Sequence, residues 1–232
     1  EPPHPVVRVF LSSTFADTAA ERNYLLEWAF PELRTWCRER GLAFEVVELR
    51  WGIRDEATND HQTVSICLQE IERCQRNTIG PNFVFISTDR YGWQPPPSAL
   101  PADLFISLRH NSRTPDQRLL NEWYVRNDNS APAQYILQPV NKIIPSSGSK
   151  DPDLERAARR EWAEAQNNLT RIFKQASASG RLEFGLPSVT EQEVEMGLLR
   201  PDERDSTALC FHRVLRNHNA SDEGAWRFKD MR

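Results

Sequence analysis

The sequence predicts an α/β protein built on a parallel sheet, because short buried strands alternate with amphipathic helices along its N-terminal part. Three runs rich in branched and aromatic side chains fit buried strands, at residues 6–13, 44–52 and 82–88. The two segments between these strands carry apolar residues at helical spacing. Strands joined in this way through helices form a parallel sheet that helices cover on both faces.

The first helix is predicted to follow the hydroxyl-rich end of the first strand. Thr18 and Glu21 have the spacing of a capping box, and Gly41 suits the C-terminal cap. Pro31 lies inside this helical pattern and lacks the N–H that a helix interior uses. We therefore expect Pro31 to kink the helix or to divide it in two. The second helix is predicted over residues 63–75.

The middle of the chain is predicted to be an insertion into this fold. Residues 94–186 separate the third strand from an acidic helix near residue 190 and a final strand at 207–215. A structureless loop of that length is uncommon in a compact domain. We therefore predict one domain over 1–232 that contains a mainly helical inserted subdomain over 94–186. Its expected elements are helices at 115–128 and 153–177 and a strand or extended segment at 133–140.

The composition limits the classes of function. The 232 residues are 39% hydrophobic and 27% charged, which is typical of a soluble globular protein. A net charge of −4 gives no general attraction to nucleic acid. No apolar run approaches the roughly 20 residues that cross a bilayer, and the N-terminus does not resemble a signal peptide. We expect a cytoplasmic protein that binds neither membrane nor nucleic acid.

Several chemical motifs are missing from the sequence. The four cysteines have no C-x-x-C spacing and no histidine completes a zinc set, so we expect buried free thiols and no metal site. The chain contains neither G-x-x-x-x-G-K-[ST] nor G-x-G-x-x-G, which excludes a P-loop ATPase in this segment. It also lacks the G-x-S-x-G motif of serine hydrolases.

Candidate binding residues emerge where the predicted strands end. Ligands of parallel sheets gather outside the carboxyl ends of the strands. Arginine there can bind phosphate, an aromatic ring can stack on a base, and hydroxyls at a helix start can bind an anion. The alternative is that the aromatic rings pack under the insertion and the arginines pair with local acids. The candidates are Ser12, Ser13, Arg50, Trp51, Arg90 and Tyr91.

The segment PSVTEQEVEMGLL contains the candidate catalytic carboxylate. Ser188 is a suitable N-cap for this helix, and Glu191 completes a capping box three residues later. Glu193 lies on the other side of the helix, one turn before Gly197, whose missing side chain leaves room for an approaching group. The alternative is that Gly197 permits close helix packing and that Glu193 faces solvent.

Seven motifs occur in an order that resembles a known family. They are VRVFLSSTF, AERNYLLEWAFPELR, VVELRWG, CLQEIERCQ, FVFISTDRYGW, LLNEWYVRNDNSAPAQYILQP and SVTEQEVEMGLL. Together they resemble the N-terminal domain of NACHT and WD-repeat domain-containing proteins, a Toll/interleukin-receptor-like (TIR-like) module also seen in telomerase-associated and nephrocystin-type relatives. The resemblance runs from Val6 to about Leu215 and implies a flavodoxin-like parallel sheet.

The resemblance implies that the chain is one part of a signal-transducing ATPase of the STAND type. The NACHT and WD-repeat domains would follow the present C-terminus and would be its partners. The expected function is that of an effector or adaptor domain, which acts through protein contacts. These contacts include self-association and an adaptor protein that the sequence does not identify.

The alternative function is hydrolysis of NAD. In TIR enzymes with this activity the catalytic glutamate lies on the helix after the third strand, and Glu193 occupies the matching place. The match departs from the family at the insertion 94–186 and in the absence of the usual serine and tryptophan–cysteine pattern. NAD would be a substrate and no bound cofactor is expected. Arg50 or Arg90 would hold its pyrophosphate, and Trp51 or Tyr91 would stack on a ring. Sensing of a nucleotide or nucleic acid without turnover is the third class considered.

Overall fold

The structure, a computed structural model, describes residues 5–49, 61–180, 185–199, 207–216 and 224–228. Within these ranges the strands are β1 (Val6–Ser12), β2 (Ala43–Val47), β3 (Phe83–Ser87), β4 (Ala99–Pro101), β5 (Tyr124–Asn127), β6 (Gln134–Leu137) and β7 (Ala208–His212). The α-helices are α1 (Ala19–Tyr24), α2 (Phe30–Arg38), α3 (Thr63–Asn77), α4 (Ala102–His110), α5 (Thr114–Trp123), α6 (Val140–Ile143), α7 (Pro152–Ala178) and α8 (Val189–Val194). π-Helical turns follow α1 and α8 at Leu25–Ala29 and Glu195–Leu199, and a short 3₁₀ turn covers Ala225–Arg227.

The main sheet confirms the predicted fold class. Its strand order is β2-β1-β3-β7, and each neighbouring pair is parallel. The chain thus winds outward in both directions from β1, which is the flavodoxin-like arrangement of an α/β protein. The last predicted strand is present as β7. The carboxyl ends of these strands share one edge of the sheet, called the carboxyl rim below.

The chain divides into two compact units. One comprises Glu1–Gly52, Val64–Trp93 and Ser188–Arg232, and contains the parallel sheet. The other comprises Ile53–Thr63 and Gln94–Pro187. The second unit has its own core, in which Leu100, Phe105 and Phe173 are fully buried. Among the described residues of the first unit, helices pack on both faces of the sheet.

The second unit contains a small sheet in addition to its helices. Strands β4, β6 and β5 form a three-stranded antiparallel sheet in that order. The helix predicted over 115–128 is therefore wrong in its second half, because α5 ends at Trp123 and β5 begins at Tyr124. Pairing with β6 decides this conformation, since strand formation depends on neighbouring strands more than on local propensity. The predictions for β6 and the long helix α7 are confirmed.

The faces of the parallel sheet have separate apolar cores. On one face, Val9 and Leu11 of β1 pack with Phe30 and Cys37 of α2. On the other, Phe10 stacks on Phe83, with ring centroids 6.0 Å apart, and α3 contributes the buried Ile71. Side chains that alternate along β1 therefore enter different cores, as strand geometry requires.

Pro31 interrupts the regular helix as predicted. The π-helical turn Leu25–Ala29 lies directly before α2, and Pro31 occupies the first turn of α2. Because proline has no N–H to donate and its ring crowds the carbonyl four residues earlier, a regular α-helical ladder cannot run through this point. The wider turn divides the helix at this place.

Three of the cysteines are buried free thiols, but Cys210 is exposed. The prediction is therefore wrong for Cys210. This residue lies on β7, which within the described residues is an edge strand of the sheet with exposed side chains on both faces. Within the described ranges no helix has the length and apolar character that a membrane span needs.

Gly197 allows close packing between the π-helical turn and the sheet. A Cβ atom added at Gly197 would lie 2.3 Å from the Phe83 ring, so the ring occupies the space that a side chain would need. Of the two alternatives for Gly197, close packing is therefore correct, and the room for an approaching group is absent.

We predict that Gly197→Ala destabilises the protein by about 1–3 kcal/mol, as overpacking of a filled core does. Helix propensity alone would favour alanine by about 1 kcal/mol, so the sign of the effect separates the two influences. The measurement is the free energy of unfolding in urea. Gly80→Ala is the control, because its Cβ would make an ordinary 3.5 Å contact with Val7. Equal or greater stability of Gly197→Ala would contradict the packing described here.

Candidate functional site

The carboxyl rim brings several of the predicted site residues together. Ser12 and Ser13 at the end of β1 are buried, and Tyr91 after β3 is exposed. Thr14 links the two strand ends, because its hydroxyl lies 3.2 Å from that of Thr88. Arg50 and Trp51 lie outside the described residues. The candidate side chains that are described thus differ in access to solvent.

Glu193 is enclosed in the protein at this rim. Its relative exposure is 6%, and Ser12 Oγ donates a hydrogen bond of 2.6 Å to Oε2 of the carboxylate. The Cys67 thiol also donates to Glu193. Burial raises the pKa of Glu193, while the bonds from Ser12 and Cys67 and the positive charge of Arg22 oppose that shift. The alternative in which Glu193 faces solvent is therefore wrong.

The environment of Cys67 explains why its thiol stays protonated. Burial raises the pKa of Cys67, and the nearby negative charge of Glu193 raises it further. A protonated thiol is a hydrogen-bond donor and a poor nucleophile. Cys67 therefore helps to solvate the buried carboxylate.

Arg22 is the centre of the polar contacts beneath the rim. Its side chain is 1% exposed and forms an ion pair of 2.5 Å with Glu48. Its Nε donates to Ser13 Oγ at 2.7 Å, and Nη2 donates to the carbonyls of Leu11 and Ser13 at 3.2 Å. Arg22 is not among the site residues predicted from the sequence. The sequence did contain a signal for its burial. Arg22 precedes Leu25 by three residues and Leu26 by four, and so lies on the apolar face of the helix.

Thr18 belongs to the same polar cluster and does not cap α1. Its hydroxyl donates to the Thr14 carbonyl and lies 2.8 Å from Ser13 Oγ, whereas no side-chain cap bond forms at α1. Glu21, its expected partner, accepts a bond from Arg213 at 3.0 Å. The predicted capping box is therefore wrong, because Thr18 bonds to the preceding loop and Glu21 bonds to the distant Arg213.

Arg213 connects the carboxyl end of β7 to the loop after β1. It forms an ion pair of 2.9 Å with Asp17, whose side chain is fully buried, and it also bonds the Asp17 carbonyl. The Thr14 hydroxyl donates to the same carboxylate. The loop after β1 is therefore held from both sides by charged and hydroxyl groups.

The loop after β3 lies close against the start of α8. Gly92 has a φ of +99°, and a Cβ there would lie 3.0 Å from Thr190 Oγ1 and 3.1 Å from a methyl of Thr14. Tyr91 donates its hydroxyl hydrogen to Glu191, and Arg90 donates to the Arg227 carbonyl at 3.2 Å. The N-cap predicted at the start of α8 is confirmed, since Ser188 Oγ accepts from Glu191 N at 3.0 Å.

An apolar groove of about 620 Å³ lies next to this polar network, and Glu21 and Arg213 belong to its lining. Its lining comes from α1, the turn after it, β3 and the end of β7, and includes Tyr24, Leu25, Val84, Ile86 and Phe211. Glu193 is not part of its lining. The rim therefore holds a network of mutually bonded polar groups, and the groove offers an apolar surface.

Comparisons with known proteins identify the relatives of this fold. Residues 8–105 match the model of a domain of unknown function, DUF4062. NACHT domain- and WD repeat-containing protein 1 of Mus musculus is 35% identical over 204 residues, which cover 86% of this chain and 12% of that protein. NACHT and WD repeat domain-containing protein 2 of Homo sapiens is 33% identical over 73% of the chain and 10% of its own length. The chain is homologous to NACHT and WD-repeat domain-containing proteins.

This homology confirms the family resemblance expected from the sequence. A telomerase protein component 1 of Rattus norvegicus is also similar, at 36% identity over 95 residues, or 41% of the chain and 3% of that protein. No solved structure matches the chain. The chain spans about an eighth of the length of these NACHT and WD-repeat relatives.

We predict that Glu193→Gln stabilises the protein at neutral pH relative to the wild type. The pKa of Glu193 is raised in the folded state. The protonated carboxyl group therefore contributes fully to the unfolding free energy below its pKa in the unfolded chain, which is about 4.3, and this contribution is lost as pH rises through the folded-state pKa. The difference in unfolding free energy between variant and wild type should therefore grow as pH rises. Urea unfolding at several pH values measures it, with Glu191→Gln on the exposed side of α8 as the control. Parallel pH profiles for Glu193→Gln and wild type would contradict the burial of this charge.

We predict that Arg22→Met lowers the unfolding free energy by about 3–5 kcal/mol, because it removes the guanidinium that pairs with the buried carboxylate of Glu48. The control is Arg73→Met, which removes an exposed pair with Glu70 and should cost about 1 kcal/mol or less. Adding Glu48→Leu to Arg22→Met should recover part of the loss. Equal effects of the Arg22 and Arg73 substitutions in urea unfolding would count against the role assigned to Arg22.

Proposed function

We propose that this chain is the N-terminal effector or adaptor domain of a NACHT and WD-repeat protein, and that it acts through protein contacts. Its relatives are named for a NACHT domain and WD repeats, which supports the presence of these domains in the same longer protein. Domains of those two kinds in the same longer protein are accordingly its proposed partners. The proposal also includes self-association, an adaptor of unknown identity, and a cytoplasmic location in which its thiols stay reduced.

One observation supports contact as the function, namely the exposed apolar surface around the groove. Tyr24, Trp28 and Phe211 are 65%, 64% and 57% exposed, and Tyr24 and Phe211 line the groove. Trp28 follows Tyr24 by one helical turn and so extends the same surface. Contiguous exposed apolar patches on a folded domain commonly mark an interaction surface.

The second candidate function is NAD hydrolysis by a TIR-type enzyme, in which Glu193 would be the catalytic carboxylate. In its favour, Glu193 lies at the carboxyl rim beside Ser12, with Ser13 and Tyr91 at the same edge, and has a perturbed pKa. Against it, the carboxylate accepts bonds from Ser12 and Cys67 in an enclosed site. A glycosidic bond can react there only after the rim opens and these bonds are replaced. This second candidate function also includes the TIR-like relationship and a role for Arg90 in binding the pyrophosphate of NAD.

A single pair of measurements distinguishes these functions. We expect artificially clustered protein to release no nicotinamide from NAD, and the wild type and Glu193→Gln to behave alike. We also expect the mass in solution to rise with protein concentration. Release of nicotinamide by the wild type that Glu193→Gln abolishes and Glu191→Gln retains would favour the enzyme. A protein that stays monomeric and binds neither itself nor its NACHT module would exclude the assembly function.

A further inference from the structure

Residues 224–228, called the strap below, fold back against the carboxyl rim. They form a short 3₁₀ turn that begins after Gly224, whose φ is +84°. Ala225 in this turn is only 4% exposed, so other parts of the protein enclose it. The strap and the rim belong to the same compact unit. The strap is therefore a packed part of this unit.

The strap contacts the chain after two neighbouring strands of the sheet. Arg90, in the loop after β3, donates from Nη1 to the Arg227 carbonyl at 3.2 Å. Arg213, directly after β7, places its guanidinium over the Phe228 ring, 5.5 Å from the ring centroid. The strap thus connects the loop after β3 to the end of β7.

The loop after β3 in turn packs against the helix that carries Glu193. Tyr91 of this loop donates its hydroxyl hydrogen to Glu191 of α8. Gly92 lies so close to the same helix that an added Cβ would be 3.0 Å from Thr190 Oγ1. The strap, the loop after β3 and α8 are therefore in continuous contact.

The strap is attached less firmly than the polar groups beneath it. The bond from Arg90 lies at the surface, and Phe228 is partly exposed. Arg213, in contrast, forms an ion pair of 2.9 Å with the fully buried carboxylate of Asp17. Segments with few buried contacts open at a lower free energy than the whole fold. We therefore expect the strap to leave the rim while the ion pair beneath it stays intact.

We infer that the strap is a removable restraint that controls access to the enclosed carboxylate of Glu193. While the strap is in place, it holds the loop after β3 against α8. Its release loosens this loop and admits small molecules to Glu193 and its neighbour Cys67. This inference goes beyond the proposed function, because the strap would open and close the rim whether the domain acts by contact or by catalysis.

The cysteines provide a readout of this opening. Cys67 is 3% exposed and donates to Glu193, so its labelling reports access to the enclosed carboxylate. Cys37 and Cys74 are also buried, and their labelling reports unfolding of the unit as a whole. Cys210 is exposed and gives the rate of an accessible thiol.

The first experiment measures the rate at which N-ethylmaleimide labels each cysteine of the full chain, located by peptide mass mapping. Phe228→Ala removes the ring beside Arg213 and should accelerate Cys67 labelling about two- to fivefold, as loss of a surface cation–π contact allows. Ala225→Asp places a charge at a buried position and should have a larger effect. The rates at Cys37 and Cys74 should stay unchanged.

The matched control is Trp36→Ala. It removes a comparable contact, in which the guanidinium of Arg40 lies 3.9 Å from the centroid of the Trp36 ring, but on α2. We expect this variant to label at Cys67 like the wild type. An equal acceleration of Cys67 in Trp36→Ala and Phe228→Ala would overturn the role of the strap.

The second experiment measures amide hydrogen exchange in the wild type and in Phe228→Ala. Peptides that cover residues 88–93 and 224–228 should exchange faster in the variant, because both segments lose a restraint. Peptides from β1 and β3 should keep their protection. Faster exchange at 224–228 with no change at 88–93 would show that the strap does not restrain the loop after β3.

The labelling outcomes decide the inference without reference to the proposed function. Unchanged Cys67 labelling in the strap variants would overturn it, and so would an equal acceleration at Cys37, Cys67 and Cys74. If Ala225→Asp fails to fold, Phe228→Ala alone decides. Self-association and nicotinamide release are measured separately, so the contact function can fail while the strap stands, and the reverse.

Discussion

The arrangement of the carboxyl rim depends on the burial of one positive charge. Removing a guanidinium from water carries a large desolvation cost, which good geometry and several partners must offset. Arg22 has such partners in the carboxylate of Glu48, the hydroxyl of Ser13 and two carbonyls at the end of β1. These bonds fix α1 against β1, and they therefore fix the loop between them.

The second buried ionisable group of the rim is Glu193. Burial raises its pKa, and the hydrogen bonds from Ser12 and Cys67 and, to a smaller extent, the positive charge of Arg22 oppose that shift. Ser12 and Cys67 supply the hydrogen bonds that water would otherwise provide. The close contact between Gly197 and Phe83 packs the π-helical turn after α8 against the sheet. A carboxyl group with a shifted pKa is often functional, but the contacts of Glu193 also give a structural reason for its burial.

An exposed apolar surface lies beside these polar contacts. Arg213 and Glu21 line the apolar groove and also take part in the polar contacts, because Arg213 pairs with both Asp17 and Glu21. A protein contact at β7 would act on a strand whose end is connected to the loop after β1 by Arg213. The exposed apolar surface is therefore connected directly to the polar contacts of the rim.

The sequence by itself determined the layered α/β class, because buried parallel strands and amphipathic helices have periodicities that are visible within short segments. It also located the N-cap at Ser188 and the break at Pro31, since both depend on local backbone chemistry. Only the tertiary structure decided the roles of Arg22 and Glu193. Each has a partner that is distant in the chain, since Arg22 pairs with Glu48 and Glu193 accepts from Ser12, which lies 181 residues away. Likewise, β5 forms because β6 lies beside it, and Cys210 is exposed because β7 is an edge. Neighbours of that kind leave no periodic signal in the sequence, so folding alone brings these residues together.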